Sequence, residues 1–464
     1  MGKIVYLATH GFAVRMIFQT GLLGRLTAAG HEVTVVVPDA TDPNVAALCV
    51  RDGVAPVEYT APPQTAQRYL KPMRKYVVED IRNNPCLWDK HQESLHRAGA
   101  ARRVMAGGGL LLNDVVDRVP VLRRAFLRAE AKILLRREAV DFMKTLDADL
   151  LVSTYPVAPP EPELLLAARS LGMQTTIHLL SWDNITAKGH FQSLADHYIA
   201  WGLTMAEELN EFYGVPPERI SQCGVPHFDL YFREATTPDR PLLEQLAAGG
   251  PYVFFAMSAA RYAPGETAIL RQLCRETKAG GALEGLRIVA RPHPSALSGV
   301  MRDDKTMTEL EALKTEAGLL VSYPDMVGRS RMNWSVRDED MHELVALLRG
   351  AAVVLNSGST VNVEALAMGR PVVVTAYDGP EKRPYARSAA RLKDYPHLRK
   401  LFADGGGVVV EDHAALVAAI RTLLDDPAQG AEAREHALFR QIGARRGDAT
   451  TAVADALQRL LADK

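Results

Sequence analysis

The chain has 464 residues, of which 47% are hydrophobic and 23% are charged, and its formal net charge is −1. This length and composition are typical of a globular protein with two domains. A net charge near zero argues against a general nucleic-acid binder, which needs a positive field to collect phosphates. The four cysteines are scattered and include no C-x-x-C pair, so they indicate neither a zinc site nor a disulfide framework.

The N-terminal sequence MGKIVYLATHGF is typical of a strand followed by a turn and does not resemble a signal peptide. No run of apolar residues approaches the roughly 18 that are needed to cross a bilayer. We therefore expect a cytoplasmic protein, either free or at the inner face of the membrane.

Segments rich in valine and isoleucine alternate with helical segments along most of the chain. The first series of predicted strands comprises residues 4–9, 31–37, 54–59, 148–154, 174–180, 198–201 and 220–223. The second series comprises residues 252–257, 287–291, 318–321, 352–355, 371–375 and 407–410. This rhythm predicts an α/β fold with two Rossmann-like domains, whose parallel sheets are buried on both faces and face a central cleft. Ligands are expected beyond the carboxyl ends of the strands.

The polar, proline-containing segment 233–241 separates the two series. We predict a first domain over 1–235, a linker over 236–250, a second domain over 251–430 and a C-terminal helix over 431–464. That helix is long enough to cross back to the first domain.

Residues 62–145 depart from the rhythm, because they are mostly helical and rich in arginine and lysine. One interpretation is a set of amphipathic helices that pack on the sheet and expose a solvated basic face. The alternative is a patch that rests on anionic lipid or receives an acidic acceptor.

The segment 351–376 is typical of a strand, a turn of small residues, a helix, a Gly-Arg-Pro corner and a second strand. Its turn, Asn356 to Thr360, is expected to present hydroxyls and free backbone N–H groups at the start of a helix, where phosphate binds well. Glu364 lies about one turn further along and could accept hydrogen bonds from a ribose. The alternative is that the serine and threonine only cap the helix.

Two groups of candidate residues follow predicted strands of the first domain. His10 could act as a general base and Arg15 could bind an anion, although a structural role for His10 is an open alternative. The turn Ser181-Trp182-Asp183-Asn184, with Lys188 close behind, supplies a carboxylate that could accept a hydroxyl proton. The alternative for Asp183 is a helix cap or an Asx turn.

Two further groups follow strands of the second domain. In Arg291-Pro-His293-Pro, the prolines restrict the backbone, and both basic side chains could donate to phosphate oxygens. After the strand that ends at Thr375, Asp378, Glu381 and Arg383 could reach sugar hydroxyls or could form a solvated polar loop. Ser258, with Arg261 and Tyr262, follows the first strand of this domain and could line the same mouth. None of these places has the spacing of a metal site.

Taken together, these segments resemble the GT-B superfamily of nucleotide-sugar enzymes over nearly the full chain. The resemblance rests on GMQTTIHLLSWDNITAKG, on a G-x-P-x-x-D segment from Gly224 to Asp229, on RPHPS and on NSGSTVNVEALAMGRPVVV. The most similar families are bacterial surface-polysaccharide glycosyltransferases, UDP-N-acetylglucosamine 2-epimerase and the CDP-glycerol glycerophosphotransferases.

The resemblance implies a division of roles between the domains, with the donor nucleotide bound by the second. The residues implied to hold the donor are His293, Ser357, Gly358, Ser359, Thr360 and Glu364. Ser258 and Arg291, which follow strands of the same domain, are further donor-binding candidates. The first domain is implied to supply the acceptor site and the base, Asp183 or His10. The candidates for sugar or acceptor contacts are Arg15, Trp182, Asn184, Lys188, Asp378, Glu381 and Arg383.

The chain departs from the motifs of these families at three places. Arg15 stands where many inverting glycosyltransferases have a catalytic histidine. The E-x7-E pattern of many retaining members is missing, because asparagine (Asn356) stands eight residues before Glu364. The epimerase turn H-x-E-A-G-L-R is replaced by residues 178–184. These departures favour an inverting transferase over an epimerase. We expect a metal-independent glycosyltransferase that uses a UDP-, CMP- or CDP-linked sugar. A nucleotide-sugar 2-epimerase, a glycerol-phosphate transferase and a non-catalytic binding module are the alternatives.

Overall fold

The structure is a computed structural model that describes residues 1–61, 65–96, 98–233, 238–297, 302–327 and 336–462. The chain divides into two compact units, one formed by Met1–Pro226 with Asp448–Lys464 and the other by His227–Gly447. We call them the first unit and the second unit.

The strands of the first unit are short runs of β-branched and other apolar residues, which suit a sheet that is covered on both faces. They are β1 (Lys3–Leu7), β2 (Glu32–Val37), β3 (Ala55–Glu58), β4 (Leu150–Ser153), β5 (Gln174–His178), β6 (His197–Ala200) and β7 (Ile220–Gln222). Within the described residues they form a seven-stranded sheet in the order β3-β2-β1-β4-β5-β6-β7, and all of its pairings are parallel. The carboxyl ends of the strands therefore share one edge of the sheet.

Helices connect these strands. They are α1 (Gly11–Ala13), which continues into a π-helical turn (Val14–Phe18), then α2 (Leu22–Ala28), α3 (Pro43–Asp52), α4 (Thr65–Val77), α5 (Pro85–His96), α6 (Ala100–Arg118), α7 (Pro120–Leu134), α8 (Arg137–Leu146), α9 (Glu161–Ser170) and α10 (Leu203–Tyr213). Helices α4 to α8 lie in the basic region that the sequence predicts between β3 and β4. We call residues 65–96 and 98–134, which hold α4 to α7 and their connections, the helical insertion.

The second unit repeats the same plan with different helices. Its strands are β8 (Tyr252–Ala256), β9 (Arg287–Arg291), β10 (Leu320–Val321), β11 (Val353–Asn356), β12 (Val372–Thr375) and β13 (Val408–Val410). In the part of the chain that the structure describes, they form a parallel sheet in the order β10-β9-β8-β11-β12-β13. Its core includes Phe255, Ile269, Leu313, Leu355 and Leu416, from strands and from the helices that cover them.

The helices of the second unit follow the same alternation. They are α11 (Pro241–Ala247), α12 (Glu266–Glu276), α13 (Pro294–Leu297), α14 (Asp304–Ala317), α15 (Asp338–Gly350), α16 (Val361–Ala367), α17 (Pro396–Ala403), α18 (His413–Asp425) and α19 (Ala431–Ile442). The last helix, α20 (Ala449–Ala462), belongs to the first unit, where it packs on α2.

The predicted α/β fold with two Rossmann-like domains is confirmed, and each observed strand lies at a predicted one. The details of the connections differ. Pro241–Ala247 is helix α11 where we expected a linker, because proline at the first helical position and a following run of helix formers start a helix. Residues 236 and 237 of that linker lie outside the described residues. The expected single C-terminal helix is two helices, α19 and α20, separated around Gly443.

None of the helices within the described ranges combines the length and the apolar character that a membrane span requires.

Candidate functional site

His10 follows β1 and caps the first helical turn of the first unit. Its Nδ1 accepts a hydrogen bond of 3.2 Å from the Phe12 N–H, and its ring stacks on Tyr155 with 5.0 Å between centroids. Burial and the positive charge of Lys188 lower the pKa of His10, so the ring is neutral at pH 7. Because Nδ1 is an acceptor, the proton of the neutral ring lies on Nε2.

Asp183 lies in the turn after β5, on the same edge of the sheet. The Lys188 Nζ is 2.9 Å from Asp183 Oδ2, and the Ser181 hydroxyl donates to Oδ1 at 2.6 Å. The side chain of Asp183 is 23% exposed, so the carboxylate is oriented by two partners and still accessible. The structure therefore brings Asp183, Lys188 and His10 to one edge.

The other first-unit candidates are placed differently. Trp182 is buried, and the buried Asn184 carboxamide has no hydrogen-bond partner among the described residues. Arg15 lies in the π-helical turn, with its guanidinium carbon 5.8 Å from the centroid of the Phe12 ring. Trp182 packs inside the unit, whereas Arg15 is half-buried at its surface.

The helical insertion holds the loop that contains Asp183. The carboxylate of Glu79 accepts from the His190 N–H at 2.9 Å, and the Asn84 side chain donates to the Thr186 carbonyl at 2.7 Å. Arg74, in a buried ion pair with Glu130, donates to the His190 carbonyl at 2.7 Å. These bonds to backbone groups restrict the loop at 186–190, directly after Asp183.

Glu161 was not predicted from sequence, yet it joins two strand ends of the first unit. It is fully buried, and its carboxylate accepts from the Ser153 hydroxyl at 2.7 Å, from the Tyr155 N–H at 2.6 Å and from the Thr9 hydroxyl at 2.5 Å. Burial raises the pKa of Glu161 and these bonds oppose the rise. This carboxyl therefore positions the residues that flank His10 and Tyr155.

Glu266 does the same in the second unit. Its Oε2 accepts from the Ser258 N–H at 2.8 Å, and its Oε1 accepts from the Ser357 hydroxyl at 2.7 Å. Ser357 also lies 2.8 Å from the Thr375 hydroxyl, so the ends of β8, β11 and β12 are linked. Burial raises the pKa of Glu266 to about 8 against the effect of these bonds. At pH 7 the group is therefore mostly protonated.

The turn after β11 is less open than the sequence predicts. The side chain of Asn356 accepts from the N–H groups of Gly358 at 2.7 Å and of Ser359 at 3.1 Å. These two groups are therefore not free for phosphate, because Asn356 makes an Asx turn that satisfies them. Ser357 is buried and used by Glu266, which leaves the partly exposed Ser359 and Thr360 as the hydroxyls that a ligand can reach.

Arg291 lies in a buried ion pair. Its Nη2 is 2.6 Å and 2.7 Å from the two carboxylate oxygens of Asp340, and its Nη1 donates to the Ser322 hydroxyl at 2.5 Å. The Arg291 residue is 6% exposed. This geometry indicates that the guanidinium links β9 to α15, so we leave Arg291 out of the proposed donor site.

His293 is oriented by the residues that follow it. Its Nδ1 accepts from the Ser295 N–H at 3.1 Å and lies 2.6 Å from the Ser295 hydroxyl. Burial lowers the pKa of His293 to about 4, so the ring is neutral and carries its proton on Nε2. His293 can therefore donate a hydrogen bond to an anion without being charged.

The remaining second-unit candidates already have protein partners. Glu364 is 2% exposed and accepts from the Tyr231 hydroxyl at 2.8 Å. Asp378 is buried and accepts from the Ala389 N–H at 3.0 Å, whereas Glu381 and Arg383 pair with each other in the loop. A ribose contact by Glu364 stays a prediction, and Asp378 holds the loop backbone.

No protein-family model and no curated protein matches the chain. Solved structures match it along its length. UDP-GlcNAc 2-epimerase from Neisseria meningitidis bound to UDP-GlcNAc has a TM-score of 0.55 and 10% identity, covering 98% of this chain and 100% of its own. HepE from Anabaena in complex with UDP-glucose has a TM-score of 0.50 and 13% identity, with 100% of both chains covered. The glycotransferase of kitacinnamycin has a TM-score of 0.51 and 15% identity, with 99% of both covered.

These similarities extend over both units of the chain, and their low sequence identities make them a statement about the fold. They agree with the two parallel sheets and with the resemblance found in the sequence. The chain therefore has the fold of the GT-B superfamily.

Proposed function

We propose that the protein is a glycosyltransferase that moves a sugar from a nucleotide-sugar donor to a hydroxyl acceptor, with inversion and without a metal ion. The Asp183 carboxylate takes the proton of the acceptor hydroxyl, and the acceptor oxygen forms a bond to the anomeric carbon. The bond from that carbon to the phosphate oxygen breaks, and the nucleotide leaves with the electron pair. General-base catalysis of this kind contributes roughly 10²–10⁴-fold.

The observation that carries this proposal is the oriented and accessible carboxylate of Asp183. Lys188 and Ser181 each bind one of its oxygens, so the side chain is held in place before the acceptor arrives. The tautomer of His10 argues against His10 as the base, since its Nε2 carries a proton and its Nδ1 is used by the Phe12 N–H. His10 is better suited to donate a hydrogen bond to a substrate oxygen.

The proposed donor site is a smaller set in the second unit. Ser359 and Thr360 supply hydroxyls, and His293 supplies a neutral N–H donor for the phosphate oxygens. Preorganised donors of this kind can stabilise the negative charge that develops on a leaving phosphate. The structural neighbours with UDP-GlcNAc or UDP-glucose support a nucleotide sugar as the donor.

The donor site is tested by thermal unfolding with UDP, CDP, CMP, GDP, ADP and dTDP, each with and without magnesium. A nucleotide at 100 times its dissociation constant stabilises the folded state by about 2.7 kcal/mol. Ser359→Ala with Thr360→Val should reduce this shift, and Thr308→Val on α14 is the matched control. The donor site is contradicted if none of the nucleotides shifts the unfolding temperature, or if the double variant keeps the full shift.

The reaction is tested with the sugar conjugates of the nucleotide that binds best. Release of the nucleotide should require an added fraction that contains the hydroxyl acceptor. Asp183→Asn should lower the turnover about 10²–10⁴-fold while nucleotide binding stays unchanged. Full activity of Asp183→Asn contradicts its role as the base.

A nucleotide-sugar 2-epimerase is the second candidate, because UDP-GlcNAc 2-epimerase is among the structural neighbours with the higher TM-scores. An epimerase changes the sugar when no acceptor is present. Proton NMR of the donor with enzyme alone separates the two, since a transferase leaves the spectrum unchanged until acceptor is added.

A further inference from the structure

Helix α6 has apolar side chains on its solvent-facing side. Val104, Met105, Leu111 and Val115 are 76%, 75%, 67% and 47% exposed, and they recur at helical spacing. A helix normally turns such a stripe towards a core. The stripe is therefore unusual for a surface that only faces water.

The opposite side of α6 is the one that packs on the protein. Ala106, Asn113 and Val116 are buried, and the Asn113 side chain donates to the carbonyls of Tyr76 and Glu79 at 3.1 Å and 2.9 Å. A Cβ atom on Gly109 would lie 2.7 Å from the Tyr76 ring, so the helix sits close against α4. The orientation of α6 is thus determined by these contacts, and the exposed stripe points away from them.

Helix α7 follows directly and presents basic side chains. Arg124, Arg128 and Lys132 are exposed at intervals of four residues, and Val121 starts the same row. The inner side of α7 holds Glu130, which pairs with Arg74. The exposed side of α7 is therefore a row of positive charge.

The stretch from 100 to 134, which holds α6 and α7, is basic. It contains seven arginine and lysine residues and three acidic residues. Each of the three acidic residues pairs with an arginine, namely Asp114 with Arg82, Asp117 with Arg123 and Glu130 with Arg74. The charge that this surface presents is therefore positive, in a chain whose net charge is −1.

We propose that the outward faces of α6 and α7 form a docking surface for an anionic lipid bilayer. Apolar side chains next to arginine and lysine are the combination by which an interfacial helix enters the headgroup region of a membrane. The basic residues are attracted to anionic headgroups, and the stripe of α6 is removed from water. A second copy of this chain is disfavoured as the occupant, because two such positive faces repel each other.

Docking there places the membrane beside the helices that hold the Asp183 loop. Glu130 on α7 pairs with Arg74, and Arg74 donates to the carbonyls of His190 and Phe191. The proposal rests on the surface alone and does not depend on the proposed reaction.

The test is flotation of the full chain with vesicles of phosphatidylcholine alone and of phosphatidylcholine with phosphatidylglycerol. We expect binding only to the anionic vesicles. Arg124→Gln, Arg128→Gln and Lys132→Gln together should lower the partition coefficient about 100-fold, since each basic residue near the surface contributes about fivefold. Arg275→Gln, Arg399→Gln and Arg421→Gln, three exposed positions of the second unit, are the matched control and should bind as the parent does.

A second variant separates lipid insertion from charge attraction. Leu111→Ser with Val115→Ser should lower the partition coefficient about tenfold or more, because the stripe no longer gains from leaving water. Both sites are exposed, so folding, followed by circular dichroism, should be retained. The proposal is overturned if the protein binds neutral and anionic vesicles equally, or if it binds neither. It is also overturned if light scattering shows a dimer that Leu111→Ser with Val115→Ser makes monomeric.

Discussion

Glu266 and Ser357 are joined by a hydrogen bond of 2.7 Å that connects the loops after β8 and β11. Because the carboxyl is buried, its pKa is about 8 in the folded protein and near 4.5 when unfolded. Between pH 4.5 and pH 8 the Glu266 carboxyl is therefore protonated in the folded state and ionised in the unfolded state. The free energy of unfolding should fall as pH rises through this window, by up to about 1.4 kcal/mol per pH unit.

Glu266→Gln should remove this dependence. The amide is uncharged like the protonated acid, and its oxygen can still accept from the Ser258 N–H or from the Ser357 hydroxyl. Urea unfolding between pH 5 and pH 8 should show a smaller slope for the variant and a higher free energy of unfolding at pH 8. Glu244→Gln, at an exposed carboxylate of α11, is the control, and a parent slope preserved in Glu266→Gln would assign the pH dependence to other groups.

Asn356 determines the shape of the turn after β11. Asn356→Ala leaves the N–H groups of Gly358 and Ser359 without their acceptor and should cost about 1–3 kcal/mol of stability. Asn356→Asp keeps an acceptor for both groups, but it loses the bond that Asn356 Nδ2 donates to Asn362 and places a negative charge in a buried site, so it should destabilise the fold and also weaken nucleotide binding. Urea unfolding and calorimetric titration check the pair, and unchanged nucleotide affinity in Asn356→Asp would argue against a phosphate at this turn.

Arg291 and Asp340 form a buried ion pair. Arg291→Met leaves the Asp340 carboxylate buried with the Asp325 N–H but without the cation it pairs with, so it should destabilise the protein by about 3–5 kcal/mol. Arg291→Met with Asp340→Leu should recover much of that loss. If the double variant is folded but binds the nucleotide far more weakly than the parent, Arg291 contacts the donor and our structural assignment is wrong.

Lys188 affects the ionisation of His10. Burial is the larger cause of the lowered pKa of His10, and the charge of Lys188 is the second. Lys188→Met should therefore raise the pKa of His10 while leaving it below 6.5, since the burial remains. An NMR titration of the His10 ring protons measures this, and Lys144→Met on α8 should leave the titration unchanged.

The strands could be predicted from the sequence because the sheets are parallel and covered on both faces, which demands continuous apolar runs such as YVFFA in β8. The sequence suggests the turn of Asp183 as a candidate because a polar turn follows the predicted strand that ends at Leu180. What could not be predicted are partners that only the folded chain brings together. Arg291 precedes Asp340 by 49 residues, and Glu161 lies 152 residues after Thr9.

The residues that the sequence suggests for phosphate binding also have partners that the sequence alone does not predict. The composition of the turn after β11 indicated hydroxyls correctly, but the pairing of Asn356 with Gly358 depends on the backbone dihedral angles of the turn. The sequence marks Glu161 and Glu266 only as acidic residues in the first turn of a helix. Acidic residues are common there because they stabilise the helix, so this position does not distinguish the two glutamates as loop-positioning residues.

Both glutamates begin a helix eight residues after a serine at a strand end, Glu161 after Ser153 and Glu266 after Ser258. Glu161 closes its loop by accepting from the N–H groups of Thr154 and Tyr155, and Glu266 does so by accepting from the Ser258 N–H. Residues 156–160 and 259–264 make none of these bonds and can therefore be replaced as a cassette while the sheet below stays intact. Libraries built within 156–160 and 259–264 are the natural route to new ligand preferences on this scaffold.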